Sequence, residues 1–245
     1  MTSRYDAPAD QTGLTQRMSL PLSTQVWADI DTVFLDMDGT LLDLHFDNHF
    51  WLEHLPRRYA ELNDKIFEEA EQELLQMYAS KQGTLDWYCL DYWSEVLGLN
   101  IVALKQEVAD RVSVLPGVEP FLQWVHGQGK RIVMVTNAHR DSLELKLERV
   151  ALGKYFNRLI SAHDLQEAKE VDGFWERLQN LEPFEKHNTL LIDDNASVLS
   201  SAQRYGIQWL YGIKQPDRQK PEVLLDDFPV LDRLVDLVGI DSISA

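Results

Sequence analysis

An alternation of short apolar segments with longer amphipathic ones constrains the fold of this 245-residue chain more than any other feature. Each apolar segment has the length and composition of a buried strand, and segments of helical periodicity separate most of them. Strands that alternate with helices form parallel β-α-β units, so the pattern predicts an α/β fold with a doubly wound parallel sheet. The predicted strands are residues 31–35, 131–135, 158–161 and 189–192, and the predicted helices are residues 118–128, 142–152, 174–181 and 196–205.

The alternation stops between Asp43 and Leu115, where the chain has helical periodicity. Residues 60–78 carry apolar side chains at a helical spacing, and residues 87–97 form an aromatic-rich segment that is also predicted to be helical. A helical insert directly after the first strand is expected to cover the site as a cap. The predicted organisation is a poorly ordered leader at residues 1–25, a core at residues 26–43 and 116–245 that ends in a strand or helix, and a cap at residues 44–115.

Composition and charge exclude several classes of protein. The net charge of −17 argues against a nucleic-acid partner, because binding a polyanion depends on Lys and Arg side chains that neutralise phosphates. No apolar run is long enough to span a bilayer, and the first residues lack the apolar stretch of a signal peptide, so we expect no membrane association. The single cysteine, Cys89, cannot form an internal disulfide; this fits a cytoplasmic location and an inert buried thiol better than a reactive one.

Two carboxylates directly follow the first predicted strand, in the segment Asp36-Met37-Asp38-Gly39-Thr40-Leu41. One carboxylate can attack phosphorus while the other donates a proton to the leaving oxygen. Gly39 permits the backbone bend that turns both acids into one pocket. The alternative is an acidic turn whose Asp side chains only cap the following segment, as is common for an isolated Asp-x-Asp-Gly. The position after a buried strand favours the catalytic interpretation.

At this motif the chain resembles the haloacid dehalogenase-like hydrolase superfamily, whose first motif reads Asp-x-Asp-Gly-Thr-Leu after the first strand. The resemblance implies a magnesium-dependent phosphatase in which Asp36 forms an aspartyl-phosphate, Asp38 is the general acid and base, and Mg²⁺ binds against Asp36. Dehalogenases and phosphonatases of the superfamily lack an Asp at the second position. Asp38 therefore favours cleavage of a phosphate ester, because a leaving alkoxide needs a proton and a halide does not.

The resemblance predicts a second motif after the next strand and a lysine further along the chain. Thr136 and Asn137 end the segment Arg131-Ile-Val-Met-Val-Thr136-Asn137, where a hydroxyl and adjacent backbone N–H groups can hold a phosphoryl oxygen. The alternative is that Thr136 only starts a turn and caps a helix. Lys169 is the candidate for the cation that neutralises Asp36 and the phosphoryl group, although a lone Lys in a polar loop is often merely solvated. Lys146 and Lys154 are less well placed, one within a helix and the other in a turn.

A fourth motif closes the last predicted strand with Asp193-Asp194-Asn195. Mg²⁺ prefers hard oxygen ligands and retains several waters, so one or two carboxylates suffice. Asp194 aligns with the acid that usually ligates the metal in the superfamily, while Asp193 replaces a common Gly; either can be the direct ligand. Val198 and Leu199 stand where many relatives carry a further acid, which leaves Asn195 or a water for that role. The predicted metal ligands are Asp36, Asp38, Asp193 and Asp194.

Several segments are similar, more specifically, to the bacterial GMP/IMP nucleotidase family. These segments are residues 36–51 and 85–99, Thr136-Asn137-Ala138-His139, and Lys169-Glu170. The resemblance implies a purine nucleoside 5′-monophosphate as substrate, and Asp47 and Asn48 are candidates to contact the purine edge or a ribose hydroxyl. Purines stack on aromatic faces, but the aromatic residues of the insert are also typical of a helical core. These aromatic residues are Trp87, Tyr88, Tyr92 and Trp93.

Other functions remain compatible with the same motifs. A phosphatase of another small metabolite such as a sugar phosphate, a phosphomutase, and a non-catalytic nucleotide-binding protein are the alternatives. The intact set of Asp36, Asp38 and Lys169 argues against the non-catalytic protein. His45 and His49 lie one helical turn apart, a spacing that can bind zinc, but the sequence near them offers no further soft ligand.

Overall fold

The computed structural model describes residues 20–225 and 227–239. The predicted leader falls mainly on residues 1–19, which lie outside the described residues. The first described helix, α1 (Thr24–Asp29), is capped by Ser23, whose hydroxyl accepts a hydrogen bond from the backbone N–H of Val26. Within the described ranges, no helix is long and apolar enough to cross a membrane.

Six parallel strands form one sheet, which confirms the predicted α/β class. All four predicted strands are present, whereas the fifth strand was not predicted. Its segment, Trp-Leu-Tyr-Gly-Ile, contains a Gly, a residue that is depleted in strands, and begins only four residues after the helix that ends at Tyr205. The strands are β1 (Thr32–Leu35), β2 (Arg131–Thr136), β3 (Arg158–Ser161), β4 (Thr189–Ile192), β5 (Trp209–Ile213) and β6 (Val230–Leu231), in the spatial order β3-β2-β1-β4-β5-β6.

Strand β1 is the point at which the direction of winding changes. The chain moves from β1 to β2 and β3 on one side, and then returns to place β4 against the other side of β1. Leu35, the last residue of β1, is paired with Met134 and Ile192 on the two sides. In a doubly wound sheet the crevice beyond the carboxyl ends of such strands is where ligands bind. The residues that follow β1, β2 and β4 therefore meet at one edge.

Helices cover both faces of the sheet, which explains why β1 and β4 are buried along their whole length. The helices of this core after α1 are α8 (Val118–Gly127), α9 (Arg140–Arg149), α10 (Ala162–Leu165), α11 (Asp172–Leu181) and α12 (Ala196–Tyr205), with 3₁₀ turns at Gly153–Tyr155, Lys186–Asn188 and Leu234–Leu237. The first face packs against α1, α8 and α9 and the second against α10, α11 and α12.

The segment between β1 and α8 is helical and has its own apolar cluster, in which Phe50 and Trp93 are almost fully buried. We call this segment the insert. Its elements are α2 (His45–His49), a π-helical turn (Phe50–His54), α3 (Leu55–Leu62), α4 (Phe67–Ala79), α5 (Leu85–Tyr88), α6 (Leu90–Leu97), α7 (Ile101–Glu107) and a 3₁₀ turn (Ala109–Arg111).

Two helices of the insert were predicted as continuous and are broken. The helix expected at residues 60–78 is interrupted after Leu62, where Asp64 takes a positive φ of 52° that does not continue a helix. The helix expected at residues 87–97 is interrupted at Cys89, which has an extended conformation and accepts a hydrogen bond on its sulfur from the N–H of Tyr92. Both helices end because of the backbone conformation of a single residue. The periodicity of apolar residues in the sequence does not indicate such a conformation.

Candidate active site

A cleft of about 390 Å³ lies at the carboxyl edge of the sheet, where β1, β2 and β4 end. Its wall includes the residues that follow these strands and, from the insert, Leu44 and Tyr88. The structure therefore brings together, around one cleft, most of the side chains predicted to be functional. Those that line it are Asp36, Asp38, Thr136, Asn137, Lys169, Asp193 and Asp194.

Asp36 and Lys169 form the buried centre of this cleft. The Nζ atom of Lys169 lies 2.5 Å from Oδ1 of Asp36 and 2.6 Å from Oδ2 of Asp193, and it also donates to the carbonyl of Val135 at 3.0 Å. Burial alone would lower the pKa of Lys169, but the two carboxylates outweigh it and hold that pKa above its usual range. Burial raises the pKa of Asp36 to about 6, with Asp193 adding to the shift and Lys169 opposing it.

Asp36, Asp193 and Asp194 form what we call the acid cluster: a carboxylate oxygen from each lies within 4.8 Å of the other two. Burial and the charges of its two neighbours raise the pKa of Asp194 well above its ordinary value. Gly39 allows this packing, since it has a φ of +79° and a Cβ atom there would lie 2.4 Å from Oδ2 of Asp194. Three carboxylates thus converge on a site that contains one ammonium group, from Lys169.

Asp38 lies apart from the acid cluster and is held by a different lysine. The Nζ atom of Lys146, on α9, lies 2.6 Å from Oδ1 of Asp38 and 2.6 Å from Oδ2 of Asp47. Lys105, on α7 of the insert, binds the other oxygen of Asp47 at 2.6 Å. A chain of alternating charges therefore runs from Asp38 through Lys146 and Asp47 to Lys105, and both lysines are 1% exposed.

Burial and the nearby carboxylates set the pKa values along this chain of charges. Burial raises the pKa of Asp38 to about 6, with Asp47 and Asp36 adding to the shift and Lys146 opposing it. Burial also disfavours the charged form of Asp47, but Lys105 and Lys146 outweigh it and lower its pKa to about 2. Asp47 is consequently an ionised counter-charge, and its two oxygens are each bound to a lysine.

Thr136 and Asn137 occupy the end of β2, as predicted. The hydroxyl of Thr136 accepts a hydrogen bond from the backbone N–H of Ala138. The amide oxygen of Asn137 accepts from the backbone N–H of Lys169 at 2.9 Å, and its nitrogen donates to Glu170 at 2.9 Å. Asn137, which was predicted to contact substrate, lines the cleft, and its side chain is bonded to the loop that carries Lys169.

Glu170 connects this loop to the insert and was not predicted as a site residue. The hydroxyl of Tyr88 donates to Glu170 at 2.6 Å, and the side-chain nitrogen of Asn195 donates to the same carboxylate at 3.3 Å. Tyr88 therefore ties the insert to the residue that follows Lys169. Asn48, also predicted to contact substrate, donates to Asp217 at 2.7 Å.

A second cavity of about 280 Å³ lies beside the cleft, between the insert and α9. Its wall is mainly apolar and aromatic, with the charged groups of Asp38, Asp47 and the two lysines at one side. Of the insert aromatics, Trp93 is buried in the apolar cluster, whereas Trp87 and Tyr88 line this cavity together with Trp51 and Tyr78. The sequence had left open whether the aromatics form a core or a binding surface; in the structure Trp87 and Tyr92 pack against the apolar cluster, and Trp87 also lines the cavity.

Comparison with known proteins identifies the family. The sequence profile of the haloacid dehalogenase-like hydrolases matches residues 30–206, which span β1 to α12. The chain belongs to the haloacid dehalogenase-like hydrolase family. The chain is also 40% identical to the GMP/IMP nucleotidase YrfG of Escherichia coli over 191 residues, which are 78% of this chain and 86% of the relative. The predicted family and the predicted enzyme class, a phosphomonoester hydrolase, are thereby confirmed.

More distant relatives of this hydrolase agree with the fold. A phosphoglycolate phosphatase of Pseudomonas fluorescens is 23% identical over 120 residues, 46% of this chain and 44% of the relative. The crystal structure of a HAD phosphatase from Thermococcus onnurineus superposes with a TM-score of 0.69 at 20% identity, covering 86% of this chain and 98% of that one. The magnesium-bound structure of YfnB, a HAD-hydrolase of Bacillus subtilis, superposes with a TM-score of 0.62 at 18% identity, covering 86% of this chain and 99% of that one.

Proposed function

We propose that this hydrolase is a magnesium-dependent purine nucleoside 5′-monophosphatase that acts through an aspartyl-phosphate on Asp36. The observation that carries the chemistry is the arrangement of two carboxylates after β1, each with its own buried lysine: Asp36 with Lys169 and the partly exposed Asp38 with Lys146. The substrate class is supported by the similarity to a GMP/IMP nucleotidase and by the aromatic cavity beside the cleft.

The donor set of the acid cluster fits Mg²⁺. Three carboxylates share one ammonium group, so an excess of negative charge remains at oxygen atoms, which are the ligands that Mg²⁺ prefers. Asp36 and Asp194 are the proposed direct ligands. Asp193 is bonded to Lys169 through one oxygen and accepts from the N–H of Asn195 through the other, so it supports the site from behind. Bound there, the ion neutralises charge on the phosphoryl oxygens and orients them.

In the first step, a carboxylate oxygen of Asp36 attacks phosphorus and the bond from phosphorus to the leaving oxygen breaks. Lys169 and the groups at the end of β2 hold the phosphoryl oxygens and spread their charge, which lets the anionic Asp36 approach. Asp38 gives its proton to the leaving oxygen, and a raised pKa near 6 keeps a protonated fraction available for this transfer. The nucleoside leaves and the phosphoryl group stays on Asp36.

In the second step, Asp38 acts as a base. It takes a proton from a water molecule, the water oxygen bonds to phosphorus, and the bond from phosphorus to Asp36 breaks. Inorganic phosphate is released, and Asp36 and Asp38 return to their starting states. The proposed role of the insert is to exclude bulk water from the cleft during the first step and to admit one water for the second.

The aromatic cavity is the proposed site for the nucleoside. It adjoins the cleft at Asp38, the group that would protonate the leaving 5′ oxygen, so phosphate in the cleft would place the base among Trp51, Trp87 and Tyr88. Base stacking on aromatic rings typically contributes ~1–3 kcal/mol. Asp47 is engaged by two lysines, so we propose that it supports Asp38 and does not read the purine edge.

The proposal is tested by measuring phosphate release from nucleoside monophosphates and sugar phosphates, with Mg²⁺ and with EDTA. We expect preferential hydrolysis of GMP and IMP that EDTA abolishes and Mg²⁺ restores. Activity confined to another phosphate ester would refute the substrate assignment but would be compatible with the proposed reaction chemistry. Transfer of phosphate between hydroxyls without release of free phosphate would refute hydrolysis itself.

A further inference from the structure

We propose that Cys89, His139 and His163 form a binding site for a zinc-class transition-metal ion, separate from the acid cluster. One ligand atom from each of these residues lies within 4.8 Å of those of the other two. The three residues come from distant parts of the chain: Cys89 joins α5 and α6 of the insert, His139 precedes α9, and His163 lies in α10. One thiol and two imidazoles are a donor set characteristic of zinc sites.

His163 carries the strongest independent indication of a ligand. Its Nε2 atom is buried and has no hydrogen-bond partner within the described part of the chain. Buried polar atoms are normally paired, so this nitrogen requires an explanation.

The arrangement of the other groups is compatible with one ion. The rings of His139 and His163 are nearly perpendicular, with centroids 4.9 Å apart, so they do not stack face to face. Nδ1 of His139 accepts a hydrogen bond from the backbone N–H of Asp141, and a carboxylate oxygen of Asp91 lies 3.5 Å from Nε2, where it can complete the coordination. On a tetrahedral zinc ion the ligand atoms are about 3.3–3.8 Å apart, so a closing movement of roughly 1 Å brings the three residues to bonding geometry.

The donor chemistry separates this site from the acid cluster. Thiolate and imidazole ligands select zinc, cobalt, nickel or copper, whereas the carboxylates of the acid cluster suit Mg²⁺. The two sites should therefore fill independently. A metal bound by Cys89, His139 and His163 would also link the insert, which carries Cys89, to the core, which carries the two histidines. Since Cys89 follows Tyr88, which lines the cleft, such a bond would restrain the insert beside the catalytic centre.

Cobalt is the probe that tests the site directly, because a thiolate bound to Co²⁺ gives a near-ultraviolet charge-transfer band that oxygen ligands do not. We expect metal-free protein to develop this band with one equivalent of Co²⁺ and to lose it when Zn²⁺ is added. Cys89→Ser should abolish the band, and His163→Asn should weaken cobalt binding by at least about tenfold. Asp194→Asn, which alters only the acid cluster, and His126→Asn, at an exposed position of α8, should leave it unchanged.

A second measurement needs no substitution. Cys89 is the only cysteine in the chain, so alkylation by iodoacetamide reports on this residue alone. We expect stoichiometric Zn²⁺ to slow alkylation at least about tenfold, and Mg²⁺ to have no effect, because thiolate is a ligand for zinc and not for magnesium. No charge-transfer band at saturating Co²⁺, a band that persists in both His139→Asn and His163→Asn, or alkylation that Zn²⁺ does not slow would each overturn the proposal. None of these results depends on catalytic activity.

Discussion

The Nζ atom of Lys146 lies 2.6 Å from Oδ1 of Asp38, and both groups stand at the junction between the cleft and the aromatic cavity. Lys146 is one of the most buried lysines in the described chain, and its pKa is raised because Asp38 and Asp47 outweigh the cost of burial. In the proposed reaction, Asp38 exchanges protons with the leaving group and with water. Lys146 therefore fixes the position of the group on which both steps depend.

The first prediction concerns the leaving group. Lys146→Met should lower kcat/KM for GMP by about 10²-fold, because a displaced Asp38 no longer protonates the leaving alkoxide. For p-nitrophenyl phosphate, whose leaving group needs no proton, kcat/KM should fall by less than about threefold. Steady-state kinetics on the two substrates provides the measurement.

Lys105→Met is the matched control, because it removes a buried lysine of the same chain of charges that does not contact Asp38. Lys105→Met should lower kcat/KM for GMP and for p-nitrophenyl phosphate by the same factor. If Lys146→Met also lowered kcat/KM equally for both substrates, Lys146 would have only a structural role.

The second prediction distinguishes the two acids after β4. Asp194→Asn should raise the Mg²⁺ concentration that gives half-maximal activity by at least about tenfold, because a direct carboxylate ligand is lost. Asp193→Asn should instead lower kcat even at saturating Mg²⁺, because Lys169 loses one of its two carboxylate partners. Magnesium titrations of both variants provide the measurement. A raised Mg²⁺ requirement in Asp193→Asn, together with a lowered kcat at saturating Mg²⁺ in Asp194→Asn, would contradict the assignment.

The third prediction concerns the proposed nucleoside site. Trp51→Leu should raise KM for GMP by about tenfold, in line with the loss of stacking worth ~1–3 kcal/mol. KM for ribose 5-phosphate, which has no base, should change little. Trp124→Leu is the control, because Trp124 packs against Trp27 and lines neither the cleft nor the aromatic cavity, and it should alter neither value. An equal rise for both substrates in Trp51→Leu would place the base elsewhere.

The fourth prediction concerns the pH dependence of stability. Asp47 has a folded-state pKa of about 2, below its ordinary 3.8, so its ionised form stabilises the fold fully above pH 3.8 and loses this effect as the pH falls toward 2. Asp47→Asn should therefore cost on the order of 2 kcal/mol at pH 7. The difference from wild type should shrink below about pH 4. Urea unfolding at several pH values provides the measurement, and a difference independent of pH would argue against the ion pairs.

Much of the fold was predictable because apolar runs report burial directly. The segments ending at Leu35 and Ile192 are buried on both faces of the sheet, and a continuous apolar run is the signature of that environment. The order of motifs after the strands also placed Asp36, Thr136, Lys169 and Asp194 around one cleft. Broken helices were not predictable, since the breaks depend on backbone conformations at Asp64 and Cys89.

The residues that the sequence did not reveal act through tertiary contacts. Lys146 was considered only as a weaker candidate for the lysine beside Asp36, and it binds the second acid instead. A signal was present, since Lys146 lies three residues after the buried Leu143 and so falls near the apolar face of its helix. Lys105 carried the same kind of signal, since it lies four residues after the buried Ile101, whereas Glu170 lies in a loop and gave no such signal.

Detection of a phosphoryl group on Asp36 tests the central claim most directly. Asp38→Asn should still accept a phosphoryl group from p-nitrophenyl phosphate, because this leaving group needs no proton, but should release it slowly. Acid quenching followed by peptide mass spectrometry should then show one phosphoryl group on the peptide that contains Asp36, and none in a variant that also carries Asp36→Asn. Turnover by the Asp36→Asn enzyme at a wild-type rate, with no phosphorylated peptide, would contradict the account.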